Sequence, residues 1–131
     1  MVLQLEAHDT TISALSSDSR LKKNIADYNY DLTKFKQLKP RTFEWINTGK
    51  VHPTGTQKGF IAQEVETVDS TLAYSTSVDS KNTADLALLD EDGLSKTTKL
   101  GSNDAMYVSI IQQLITKIET LETKVAALES A

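Results

Sequence analysis

The residues best equipped for chemistry stand together near the start of the chain. Ser16-Ser17-Asp18-Ser19-Arg20-Leu21-Lys22-Lys23 packs three hydroxyls, one carboxylate and three cations into eight residues. A serine beside a lysine becomes a nucleophile and base pair when the amine is neutral and accepts the hydroxyl proton. An ordinary lysine, with a pKa of ~10.4, is charged at neutral pH; bringing it near 7 takes about three units, or roughly 4 kcal/mol of burial or like-charge pressure. Arg20 and Lys23 supply like charge, and Asp18 works against it. Read alone, the segment fits a solvated charged loop more readily than a catalytic site.

The strongest periodic signal lies at the other end. Apolar residues recur at Tyr107, Ile111, Leu114, Ile118, Leu121, Val125 and Leu128, in steps of 4, 3, 4, 3, 4, 3. This is a heptad seam with Ile111, Ile118 and Val125 at a and Leu114, Leu121 and Leu128 at d. Asn103 or Asp104 can cap a helix over 104–130, a rod of about 40 Å. In a parallel pair or ring, Lys117 and Lys124 at g meet Glu122 and Glu129 at e of a neighbour. Ile110 at g and Ile115 at e widen the apolar face, which suits more than two helices, whereas β-branched a with Leu at d suits two. The seam therefore predicts a parallel oligomer and leaves dimer against trimer open. The alternative is an amphipathic helix packed on its own domain.

Between these ends, residues 17–71 read as a small compact part. Asp31 caps a short helix carrying Leu32, Phe35 and Leu38, and Pro40 stops it. RTFEWI puts Phe43 and Trp45 on one strand face, as core residues, and 48–59 is a hairpin loop in which His52 is an ordinary loop histidine. GFIAQEVETV begins extended and turns helical, with Ile61, Val65 and Val68 at helical spacing. Residues 72–103 are rich in Ser, Thr, Asp, Asn and Lys, with a reversal at 90–93. They read as a long protruding hairpin arm or as a disordered insertion. The fold class expected is α+β: a small compact part with a protruding arm, on a long C-terminal helix.

Composition narrows the function classes. The 131 residues suit one domain, and 14 Lys and Arg against 18 Asp and Glu argue against a nucleic-acid surface. There are no cysteines and only two histidines, His8 and His52, so no metal site and no cofactor is expected. No apolar run approaches the ~20 residues of a membrane span, and the N-terminus lacks the pattern of a signal peptide.

SDSRLKKNI (17–25), QLKPRTFEWI (37–46), GFIAQEV (59–65) and the terminal heptads resemble, in that order, the self-cleaving intramolecular chaperone domain found at the C-termini of phage tail fibres, tailspikes and endosialidases, and inside the myelin regulatory factor. The resemblance spans 17–131, although 72–103 carries no matching motif. It implies a homotrimer that helps an upstream fibre segment of the same polypeptide to fold, then cuts itself off as a single-turnover serine endopeptidase. The cut falls between Ser16 and Ser17, so 1–16 would be the remnant of the upstream fibre. By motif position Ser17, rather than Ser16 or Ser19, is the nucleophile and Lys22 the base. Asp18, Arg20, Gln63 and Glu64 take supporting roles, the last two more in holding the fold than in touching the cut. The implied setting is the host bacterial cytoplasm during virion assembly, with release from the mature fibre after cleavage. A rival reading is a permanent trimerisation foot that never cuts. A weaker one, a membrane-tethered transcription factor fragment, lacks any basic DNA-binding part.

The spacing adds a constraint. Ser17 and Lys22 are five apart. In a strand they lie ~16 Å apart on opposite faces, and in a helix ~140° apart around the axis. Either the segment turns sharply between them, or a neighbouring chain supplies the lysine.

Overall fold

The computed structural model describes residues 17–131. The class is α+β: short helices and two small antiparallel sheets precede a long C-terminal helix. Helix α1 (Leu32–Gln37) begins where the Asp31 carboxylate accepts from the Thr33 and Lys34 amides, and ends on extended backbone ahead of Pro40. Strand β1 (Arg41–Phe43) pairs with β2 (Gln57–Gly59), joining Arg41 to Gly59 and Phe43 to Gln57. A side chain at position 59 would meet the Phe43 ring at 3.2 Å, so glycine lets that ring lie over the hairpin.

Helix α2 (Ala62–Val68) follows. Ile61 is the residue before its first turn and is partly exposed; Ala62 and Val65 face the core instead. Asp69 then caps a tight turn, Ser70–Leu72, by accepting from the Thr71 amide. The arm is ordered. Strand β3 (Ala73–Ser77) pairs with β4 (Leu94–Thr98), from Ala73 opposite Thr98 to Ser77 opposite Leu94. A single helical turn, α3 (Thr83–Leu86), caps its far end. The expected reversal closes with the Gly93 amide donating to the Asp90 carbonyl at 3.0 Å, at a Gly93 φ of 66° that favours glycine.

Helix α4 (Asp104–Glu129) runs 26 residues, about 39 Å. Asn103 stands at its N-cap position but its side chain makes no capping bond, contrary to the sequence expectation. The helix has two faces with different uses. Met106, Ser109 and Ile110 are buried and, with Tyr30, Val65, Leu72 and Leu100, build the core. The six seam residues, Ile111, Leu114, Ile118, Leu121, Val125 and Leu128, are all between 47% and 77% exposed. The face that packs on the chain's own body is therefore not the heptad seam. Ile110 changes role: it lies in the core at 4% exposure rather than widening the free face.

Tyr30 joins the parts. Its amide donates to Ser109 Oγ at 3.1 Å, its carbonyl accepts from Gln113 Nε2 at 2.9 Å, and its hydroxyl donates to Asp69 Oδ2 at 3.0 Å. Burial foremost, then the Asp69 hydrogen bond, pushes the Tyr30 phenol well above its usual range. Among the described residues, no helix is long and apolar enough to cross a membrane.

The wholly buried Met106 sets the cost of disturbing this core. Met106→Ala is expected to lower unfolding free energy by about 2–5 kcal/mol, read as a reduced denaturation midpoint. A loss no larger than that of a surface change, within about 0.5 kcal/mol, would contradict the packing described.

Candidate active site

The site is built on a turn. Asp18 caps a short 3-10 helix, Ser19–Leu21, accepting from the Arg20 amide at 2.9 Å. Its carboxylate also takes the Arg20 guanidinium in a two-pronged grip, Nε to Oδ1 at 3.1 Å and Nη2 to Oδ2 at 2.8 Å. The Leu21 and Lys22 amides donate back to the Asp18 and Ser19 carbonyls. The Arg20 side chain, then its amide, holds the Asp18 carboxyl below the usual carboxylate range.

This turn resolves the spacing problem within one chain. It folds Lys22 back until its Nζ donates to Ser17 Oγ at 3.2 Å. Asn24 follows at φ 55°, a left-handed conformation that asparagine tolerates better than most residues. Both Ser17 and Lys22 are exposed. In this arrangement the ammonium donates to the hydroxyl; the opposite proton flow requires the amine to lose its charge, which removal from water favours. Ser16 lies outside the described residues.

The second motif does different work. Glu64 on α2 grips Arg41 at the start of β1, with Nε to Oε1 at 2.9 Å and Nη2 to Oε2 at 2.7 Å. The guanidinium keeps the Glu64 carboxyl below its ordinary value. Gln63 is exposed, and its carbonyl accepts from Thr67 Oγ1. Thus Ser17, Asp18, Arg20 and Lys22 share one turn, while Glu64 ties helix to hairpin. Arg41, which carries no signal of its own in the sequence, stands within the QLKPRTFEWI motif.

The arm and hairpin loop also meet, so the arm does not protrude freely. Asp85 on α3 receives His52 Nε2 at 2.6 Å, Asn47 Nδ2 at 3.0 Å and Asn82 Nδ2 at 2.9 Å. The His52 ring stacks on Trp45 at 3.7 Å, and Trp45 meets Phe43 edge-on at 5.2 Å. His52 is therefore more than a loop residue, and Trp45 sits in a satellite cluster rather than the core. At the other end Lys96 on β4 pairs with Glu66 on α2 at 2.7 Å. Nothing in the local sequence links positions 52 and 85; only the folded hairpin brings them together.

Residues 17–74 match the family model described as chaperone of endosialidase, which carries a peptidase name. The resemblance read from the sequence motifs is thereby shown over that segment. No curated protein matches the chain. The match supports an intramolecular chaperone role, and the peptidase name fits a self-directed peptidase. It begins at Ser17, takes in the Ser17–Lys22 turn and the Arg41–Glu64 pair, and ends on β3.

The paired carboxylate offers a check on the turn. Because Arg20 depresses the Asp18 carboxyl, any stability this pair adds is present above the ordinary carboxylate pKa and fades as pH falls through the lowered one. In an NMR titration, Arg20→Ala is expected to move the Asp18 midpoint upward. An unmoved midpoint would mean that the guanidinium is not what holds the carboxylate.

Proposed function

We propose that this chain is an intramolecular chaperone that trimerises through α4, assists folding of an upstream tail-fibre or tailspike segment of the same polypeptide, and then releases that segment by cutting Ser16–Ser17. On this reading residues 1–16 belong to the passenger and 17–131 to the chaperone, which works in the infected bacterial cytoplasm and leaves the fibre after the cut. The observation that carries the proposal is the 3.2 Å approach of Lys22 Nζ to Ser17 Oγ at the first residues of the matched segment.

The chemistry follows from that pair. The uncharged Lys22 amine takes the proton of Ser17 Oγ as the oxygen attacks the Ser16 carbonyl carbon. Lys22 then passes the proton to the Ser17 nitrogen, the peptide C–N bond breaks, and an ester joins Ser16 to Ser17 Oγ. Water hydrolyses the ester, leaving a carboxylate on Ser16 and a free amine on Ser17. Asp18 and Arg20 hold the turn in shape by pairing with each other rather than with Lys22. Glu64 holds the fold through Arg41.

Assembly is supported by the exposed seam, which the chain's own core leaves uncovered over the whole rod. Ile111 and Leu114 begin it immediately beside the buried Met106 and Ile110. A neighbouring rod would remove water from the seam, and the packing of three bodies around it would do the same for the exposed Ser17–Lys22 turn.

Intact mass over time tests the cut. Wild-type chains are expected to lose 16 residues, while Ser17→Ala and Lys22→Ala remain whole, slowed by roughly 10³-fold or more. Equal masses for wild type and Ser17→Ala at all times would leave a permanent trimerisation module. A second experiment separates the two origins of the lysine. Mixed trimers of Ser17→Ala and Lys22→Ala chains are expected to stay uncut, because each serine uses the lysine of its own turn. Cleavage in the mixture would assign the base to a neighbour.

A further inference from the structure

Beside the seam, α1 and α4 enclose an open groove. Leu32, Phe35 and Leu114 form its walls and the buried Ile110 its floor. Lys36 and Lys117 stand at its rim. Heptad position decides what faces it. Ile110 and Lys117 occupy g, one heptad apart, and in a parallel coil each g residue faces the e residue five further along the neighbouring helix. In the parallel coil proposed above, heptad position would set Ile115 of the partner subunit opposite the Ile110 floor and Glu122 of the partner subunit opposite Lys117. The order of chemistry matches along the groove: an apolar side chain arrives at the apolar floor, and a carboxylate at the cationic rim. Ile115 is 49% exposed in its own chain.

We infer that this groove is the seat of a second copy of the chain, with Ile115 of the partner subunit entering between Leu32 and Phe35 and Glu122 of the partner subunit meeting Lys117. The inference rests on the parallel assembly proposed above and extends it: the compact body, not the rod alone, forms the interface. The consequence reaches the active site. Phe35 lies edge-on against Tyr30 at 6.4 Å and against Tyr107 at 6.3 Å. Tyr30 ends the irregular stretch that follows the Ser17–Lys22 turn, and its amide and carbonyl are both bound to α4. A partner seated on Phe35 thus presses on the anchor of the segment that carries Ser17 and Lys22. Leu21 and Ile25, 74% and 73% exposed, lie along that segment.

The lack of native cysteine makes a clean test. Two mass-distinguishable chains, both carrying Ser17→Ala to prevent cleavage, are co-expressed, one with Thr33→Cys and the other with Ile115→Cys. Thr33 lines the groove and is exposed, so the change leaves the core intact. Mild oxidation of the assembled protein is expected to give the mixed disulfide as the main covalent product, with Glu119→Cys in place of Ile115→Cys giving little. Light scattering on the same sample reports assembly independently. Oligomers without the mixed disulfide overturn the groove inference and leave the coiled coil standing. Monomers alone overturn both.

Discussion

A protonated amine 3.2 Å from a hydroxyl donates a hydrogen bond to it; it does not take its proton. Everything proposed for this chain depends on that distinction. The Asp18-capped turn meets the geometric requirement by folding Lys22 onto Ser17 across five residues, through bonds within residues 17–22. The electrostatic requirement is different in kind. It calls for water to leave, and the turn stands in water. Geometry is thus an attribute of the single chain, while reactivity belongs, on this account, to the assembly. Such a division is what a chaperone that must not cut early would need.

Helix α4 connects the two requirements because its faces do separate jobs. One face is closed on the body through Met106, Ser109 and Ile110, so the helix cannot turn to hide its seam without breaking the core. The other face presents the seam along the whole rod. Tyr30 ties the body's leading segment to the same helix by two hydrogen bonds and to Asp69 by a third. A partner on α4, as proposed, would act close to the point where the Ser17–Lys22 segment is fastened. The arm is held as well, by the Asp85 node at its tip and the Lys96–Glu66 pair at its base. These contacts set the arm's position within the single chain.

Much of the architecture was legible in local signals. Asp31 before an apolar period, Pro40 after it, and the glycines of the hairpin loop are short-range instructions, and the elements formed where those residues stand. The heptad steps announced α4 for the same reason. The motif residues were readable too, and five-residue spacing correctly demanded either a turn or a partner. What escaped was long-range pairing. His52 and Asp85 are 33 positions apart and Tyr30 and Ser109 are 79 apart. No periodicity encodes such partners. Ile110 illustrates the limit well: heptad logic gave it a place on the free face, and tertiary packing of α1 and Tyr30 against α4 drew it inward. The arm was ambiguous in composition because most of its residues are polar and pair with one another and with the loop, while Leu72 and Leu100 near its ends enter the core.

The most direct measurement is the rate of cleavage per chain as the protein is diluted through its assembly midpoint, followed by intact mass with the oligomer fraction measured in parallel. The rate is expected to fall in step with the assembled fraction. A rate per chain that stays constant in fully dissociated protein would show that the lone turn is already reactive, and that association has no part in the cut.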